Sequence, residues 1–281
     1  MIEQVELAVG PHRHSALASG PADGDLVLLL HGFPETSYEW RAQLEALGAS
    51  GYRAVAPDQR GYAADARPAA LDEYTVDHLV DDVFGFADAL GAERFHLVGH
   101  DWGGFVAWYA AARDSTSEGA RLRTLTVVST PHPVPFRAAM HSGGDQRYRS
   151  SYMDWFRSPD AEAGWLADDG ALLAAAHAEH PADAREEYHR VFTADGGAAL
   201  TGGLNWYRAN TFHPPEGTIT APTLYVWSTG DVALGREAAE GTAAEVAGPY
   251  RFEVLDDVSH WIPEVAADEL NALLLEQLTT H

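Results

Sequence analysis

The chain has 281 residues, long enough for one large domain with an inserted subdomain, and 46% apolar content with 10 Phe, 8 Trp and 11 Tyr excludes a disordered polypeptide. With 42 acidic against 18 basic side chains the net charge is −24, which disfavours nucleic acid or an anionic bilayer as partner and mildly repels anionic substrates, leaving the local sign of a pocket open. Every basic residue is Arg and there is no Cys, which excludes a Schiff-base lysine, a complete Walker A loop, disulfides and thiolate chemistry.

Val5 to Val9 and His12 to Ala18 read as a hairpin around Gly10-Pro11. Leu26 to Leu30 is an unbroken apolar run, suited to a strand covered on both faces. Thr36 to Leu47 sets Trp40, Leu44 and Leu47 at helical spacing, and Tyr52 to Ala56 is a strand closed by Pro57. Thr75 to Leu90 repeats apolar positions at Leu79, Val80, Val83, Phe84 and Ala87, as a packed helix does. Phe95 to Val98, Leu125 to Ser129, Thr223 to Trp227 and Arg251 to Leu255 supply further strands. This alternation predicts an α/β fold with a mostly parallel sheet covered on both faces. Regularity breaks from about Pro131 to Pro215, where Trp, Tyr, His, Gly and Pro surround an Ala-rich helical stretch at Ala171 to Glu179. The expected division is a core of residues 1–131 and 216–281 and a mainly helical insertion of 132–215 after the sixth strand. Such an insertion can cover a ligand beyond the carboxyl ends of the strands. No secretory segment or membrane-length apolar stretch is read, so cytoplasmic residence is the expectation, with no membrane partner.

The chemistry concentrates at Gly99-His100-Asp101-Trp102-Gly103-Gly104, between the Phe95 to Val98 run and the apolar Phe105 to Ala110 stretch. Glycines two residues either side of Asp101 permit a sharp strand-to-helix turn that exposes the acid. The plainer alternative is an Asp that caps the following helix, a reading that the later partners make the minor one. Two groups complete a nucleophilic site in the expected chain order: Asp231 in Ser228-Thr229-Gly230-Asp231 at a strand exit, and His260 in Asp256-Asp257-Val258-Ser259-His260-Trp261 in the last long loop. A carboxylate nucleophile attacks an electrophilic sp3 carbon and forms an alkyl ester; His260 then activates water, and Asp231 fixes the imidazole tautomer. His31-Gly32-Phe33-Pro34-Glu35 follows the Leu28 to Leu30 strand end. There the backbone N–H groups of Phe33 and Trp102 are candidates to stabilise oxyanion charge during ester hydrolysis. His12, His14 and His31 lie in different predicted environments and no His-Glu pair has a metalloenzyme setting, so neither metal nor cofactor is expected.

Four segments, His31-Gly32-Phe33-Pro34-Glu35, Asp58-Gln59-Arg60-Gly61-Tyr62, Gly99 to Gly104 and Gly202-Gly203-Leu204-Asn205-Trp206-Tyr207-Arg208, with the Asp231 and His260 loops, resemble the epoxide hydrolases of the α/β-hydrolase superfamily across nearly the whole chain. The resemblance implies a cofactor-independent enzyme with a helical cap that contributes two tyrosines to bind and protonate the epoxide oxygen. Tyr207 looks like one and Tyr152, in Tyr152-Met153-Asp154-Trp155-Phe156, like the other, with Tyr148 as the alternative. Phenols can neutralise the alkoxide of ring opening. His31, Pro34, Trp155 and Trp206 are read as pocket lining. Ala63-Ala64-Asp65 and Arg236 depart from the pattern of relatives and bear on pocket shape. The implied substrates are a small, neutral, apolar or aromatic epoxide and water, and the product is a vicinal diol; the chain is expected to be a monomer or homodimer. A haloalkane dehalogenase would share Asp101, His260 and Trp102, with Trp155 or Trp206 cradling the halide. A non-catalytic binding protein would retain the fold but gives no reason for the triad. Esterase action is disfavoured because carboxylate attack on an ester would yield an anhydride. Fluoroacetate-type dehalogenation is disfavoured by Trp102, where that branch generally carries Arg.

Overall fold

The expected hairpin forms as β1 (Glu3–Val9) and β2 (His12–Ser19), antiparallel from Glu3 opposite Ala18 to Val9 opposite His12. The computed structural model describes residues 1–281. β3 (Leu26–Leu30), β4 (Arg53–Pro57), β5 (Phe95–His100), β6 (Leu122–Val128), β7 (Thr223–Ser228) and β8 (Tyr250–Leu255) complete an eight-stranded sheet of order β1-β2-β4-β3-β5-β6-β7-β8, parallel from β4 to β8. The pleat sorts its residues by parity. Val27 and Leu29 join Trp40, Leu44 and Leu47 on one face, where α1 (Arg41–Ala49) packs with Leu270, Leu274 and Leu278 of α12 (Ala267–Thr280). Leu28 and Leu30 join Val83 and Phe86 of α2 (Val76–Ala89) and Val106 of α3 (Trp102–Thr116) on the other. With both faces covered, every residue of β3 is buried, as its unbroken apolar run predicts.

The stretch Thr36 to Leu47 differs from its expected single helix. Thr36 caps a 3-10 turn, Ser37–Trp40, by accepting from the Tyr38 N–H, and α1 starts only at Arg41. The tighter turn seats the fully buried Trp40 under the sheet.

Between β6 and β7 the chain makes α4 (Pro133–His141), α5 (Gln146–Arg149), α6 (Tyr152–Phe156), α7 (Ala161–Ala176), α8 (Ala182–Thr193) and α9 (Ala198–Ala209). α7 breaks at Ala167 to Gly170, and its Ala-rich second half ends at Ala176, short of the expected Glu179. α10 (Arg236–Gly241) and α11 (Ile262–Val265) follow β7 and β8. No helix is long and apolar enough to cross a membrane.

α9 is fastened to the core by backbone. Gly61, at φ 94°, lies so close to Gly202 that a Cβ on Gly202 would stand 2.0 Å from the Gly61 carbonyl oxygen. The Trp206 indole N–H donates to the Arg60 carbonyl at 2.9 Å, and the Arg60 guanidinium makes a buried two-pronged pair with Asp82 at 2.7 and 2.8 Å. Tyr207, next in α9, is positioned through these contacts.

Candidate active site

Asp101 occupies the turn between β5 and α3 at φ 48° and ψ −117°, a strained backbone for any residue but glycine. The turn closes only because its neighbours lack side chains. A Cβ on Gly99 would meet the Gly103 carbonyl oxygen at 2.3 Å, and one on Gly103 would meet the Leu30 carbonyl oxygen at 2.1 Å. The Phe33 N–H donates to Asp101 Oδ1 at 2.9 Å, and the Trp102 N–H, first of α3, lies among the helix's orphan donors.

Loops after β7 and β8 bring the other two groups to the same sheet end. His260 Nδ1 donates to Asp231 Oδ2 at 2.8 Å while its Nε2 faces Asp101 Oδ2 at 3.5 Å. Asp231 Oδ1 accepts the N–H groups of Ala233 and Leu234 at 2.8 and 2.9 Å, so the carboxylate is fixed. The His260 carbonyl accepts from Ser129 Oγ at 2.8 Å and His100 Nε2 at 3.0 Å, which pins the loop that carries it. Burial opposes charging of His260, but the Asp231 charge and hydrogen bonds to Asp101 and Asp231 outweigh it and raise the imidazole well above its usual value. A histidine whose pKa rises on folding stabilises the protein fully below its unfolded value of about 6.5, and that stabilisation is lost as pH climbs through the folded value. The Tm difference between wild type and His260→Gln is therefore expected to be widest near about pH 6 and to narrow towards alkaline pH in thermal melts. A gap independent of pH would show that the imidazole is uncharged.

Two cavities open on Asp101. The larger, about 230 Å³, is walled by Phe33, Pro34, Tyr152, Phe156, Trp165 and His260 among others. The smaller, about 40 Å³, runs past Trp102, Phe136, Met153 and Phe212. Tyr152 and Tyr207 line both, with ring centroids 6.5 Å apart. Burial raises both phenol pKa values and the Asp101 charge adds to it in each, so both remain protonated. Tyr148 is 83% exposed and borders neither cavity.

Three pocket expectations need correction. Trp155 borders neither cavity; α6 turns Phe156 inward and leaves Trp155 half exposed, stacked on Trp165 at 6.1 Å between centroids. Trp206 points from α9 towards Tyr62 and the Arg60 carbonyl, so its N–H is already engaged. His31 is buried beneath the loop: its Nε2 accepts the Gln59 N–H at 3.1 Å and its Nδ1 donates to the Gly32 carbonyl at 2.9 Å. Pro34 does line the larger cavity.

A buried acid–imidazole cluster went unread in the sequence. Glu35, Glu39, His100, His180 and Glu264 meet behind the Phe33 loop. His100 Nδ1 lies 3.1 Å from Glu35 Oε2, and His180 Nε2 lies 3.1 Å from both Glu35 Oε1 and Glu264 Oε2. Burial and the adjacent Glu35 charge hold Glu39 well above the usual carboxyl range, and burial with the same charge pushes Glu264 up to about 7. The cluster ties the Phe33 loop, through Glu35, to His180 among the inserted helices.

Against known proteins, a model of the α/β hydrolase fold matches residues 25–267. An AB hydrolase superfamily protein of Bacillus subtilis is 35% identical, over 93% of this chain and 92% of that one. Epoxide hydrolase A of Mycobacterium tuberculosis is 32% identical, over 95% and 94%. A solved structure of epoxide hydrolases from metagenomes of hot environments is 31% identical and superposes over 100% of both chains with a TM-score of 0.87. Fold, site architecture and these likenesses converge: the chain belongs to the α/β-hydrolase superfamily and, within it, to the epoxide hydrolase family.

Proposed function

We propose that the protein hydrolyses a small, largely apolar epoxide to a vicinal diol through an ester formed on Asp101. What supports this most is that two protonated phenols, Tyr152 and Tyr207, wall the same cavity as the Asp101 carboxylate. Asp101 Oδ2 attacks a ring carbon, the carbon–oxygen bond breaks, and the new alkoxide takes a phenolic proton. Esterification removes the Asp101 charge that helps to hold the His260 proton, so the imidazole releases it and restores the phenol. Neutral His260 Nε2 then takes a proton from water as the water attacks the ester carbon. Charge gathers on Oδ1, against the N–H groups of Phe33 and Trp102. Asp231 steadies the imidazolium, which protonates the departing diol oxygen; the Asp101 acid then ionises back to carboxylate and returns the imidazole proton. In this reading residues 132–215 act as a cap over the carboxyl ends of the strands.

The dehalogenase alternative has less support, since halide leaves without a proton and the Trp206 N–H is committed to the Arg60 carbonyl. The discriminating experiment measures alkylation bursts with matched epoxides and alkyl bromides, with diol and halide assayed separately. Wild type is expected to form diol, and Tyr152→Phe and Tyr207→Phe each to slow epoxide opening by roughly 100-fold while sparing any bromide displacement. Halide release without diol, or epoxide opening indifferent to both phenols, overturns the reading.

A further inference from the structure

We infer that the epoxide taken by this site carries an anionic head one slender apolar span from the ring, and that Arg137 and Arg147 hold that head outside the Phe136, Met153 and Phe212 wall. The inference rests on the epoxide hydrolase reading and deepens it.

In a chain of net charge −24, guanidinium groups find acids readily. Arg60, Arg113, Arg208 and Arg251 all lie within 3.2 Å of carboxylate oxygens. Arg137 and Arg147 are exposed, make no ion pair and no side-chain hydrogen bond, and line the same cleft of about 470 Å³ between α4, α5 and α6. Arg157 adds a third guanidinium to that lining, against one carboxylate, Asp154, so the formal local balance is 3 − 1 = +2. Asp154 sits 3.7 Å from Arg157 and leaves the other two unneutralised. A cationic concavity on a strongly acidic molecule concentrates small anions and selects them against the global repulsion.

The cleft is joined to the chemistry by shared walls. Phe136, Met153 and Phe212 line both the cleft and the narrow cavity of about 40 Å³ that reaches Asp101. Arg157 lies along the seam, its Nε donating to the Tyr207 carbonyl at 2.9 Å and its guanidinium 5.9 Å from the centre of the Phe212 ring. Phe212 packs against Trp102, Phe105 and Phe136 at 5.1 to 5.4 Å between centroids, and its backbone stands at φ 51°. That conformation is costly for a bulky side chain, and such strain concentrates at ligand clamps. The narrow cavity between that wall and Asp101 has room for an unbranched methylene chain and little more. A ring at Asp101 and an anion at Arg137 and Arg147 therefore define a substrate charged at one end and electrophilic at the other.

The test compares kcat/KM for terminal epoxides bearing a carboxylate at the far end of unbranched chains with the uncharged methylamides of equal length. For the best-fitting length, wild type is expected to favour the acid about tenfold at low salt, through KM, with the preference shrinking at high ionic strength. The double variant Arg137→Gln, Arg147→Gln is expected to bring that ratio within about twofold of one. Arg94→Gln, which removes an unpaired cation at the opposite end of β5 from Asp101, is expected to preserve it. Each ratio is taken within one protein, so a general loss of activity cancels. No acid preference in wild type, a preference that survives the double variant, or one lost equally in Arg94→Gln overturns the inference. Amides hydrolysed normally with no advantage for acids sink this inference alone. Failure to open any epoxide sinks the parent reading and this one with it.

Discussion

Replacing Asp101 by Asn is expected to lower epoxide turnover by about 10⁴-fold or more, with no covalent adduct detectable by intact mass. The amide oxygen can still accept the Phe33 N–H, and Asn tolerates a positive φ about as well as Asp, so the turn should persist. What disappears is the anionic oxygen facing His260 and the cavity. Near-native circular dichroism with abolished alkylation is the expected pair of results. A variant that opened epoxide at an undiminished initial rate would mean that water, not the carboxylate, attacks the ring.

His260→Gln should produce the opposite signature. In the proposed mechanism ring opening uses the Asp101 carboxylate and the phenols, whereas ester hydrolysis uses the His260 base, so the protein should gain the mass of one epoxide and then stall. Ester breakdown is expected to slow by roughly 10³-fold, with one equivalent of substrate consumed in a burst. Digestion should locate the adduct in the peptide that contains Asp101. In wild type, one turnover in heavy-oxygen water should leave the label on the Asp101 carboxyl group, because hydrolysis cleaves the bond to the aspartyl carbon. Label appearing in the diol during that first turnover would exclude the ester.

Much of this arrangement was legible from short-range pattern. Asp101 and Asp231 each follow a largely apolar run and His260 follows the alternating Tyr250–Leu255 segment; all three segments become parallel strands, and parallel strands deliver their exits to one end of the sheet. The side of a helix that faces inward is harder to read. In the five-residue α6, neither Trp155 nor Phe156 carries a periodic signal, and one step of about 100° separates the cavity from the surface. Trp206 fails for the same reason beside Tyr207. Glu35 and His100 stood within recognised motifs, yet their meeting with Glu39, His180 and Glu264 joins segments far apart in the chain, which local periodicity does not encode. The 3-10 turn before α1 escaped because its four residues, Ser37–Trp40, are too few to carry a periodicity of their own, while Leu44 and Leu47 belong to the α-helix that follows.

The close backbone contact between Gly61 and Gly202 divides the chamber into a rigid flank and an adaptable one. With Trp206 locked to the Arg60 carbonyl as well, the Tyr207 side has no room to yield without breaking the weld. Accommodation of bulkier molecules, whether by natural drift or directed evolution, must then proceed through α4 to α6 and Phe212. Libraries confined to that arc and sparing Tyr152 should broaden scope while leaving Tyr207 in place.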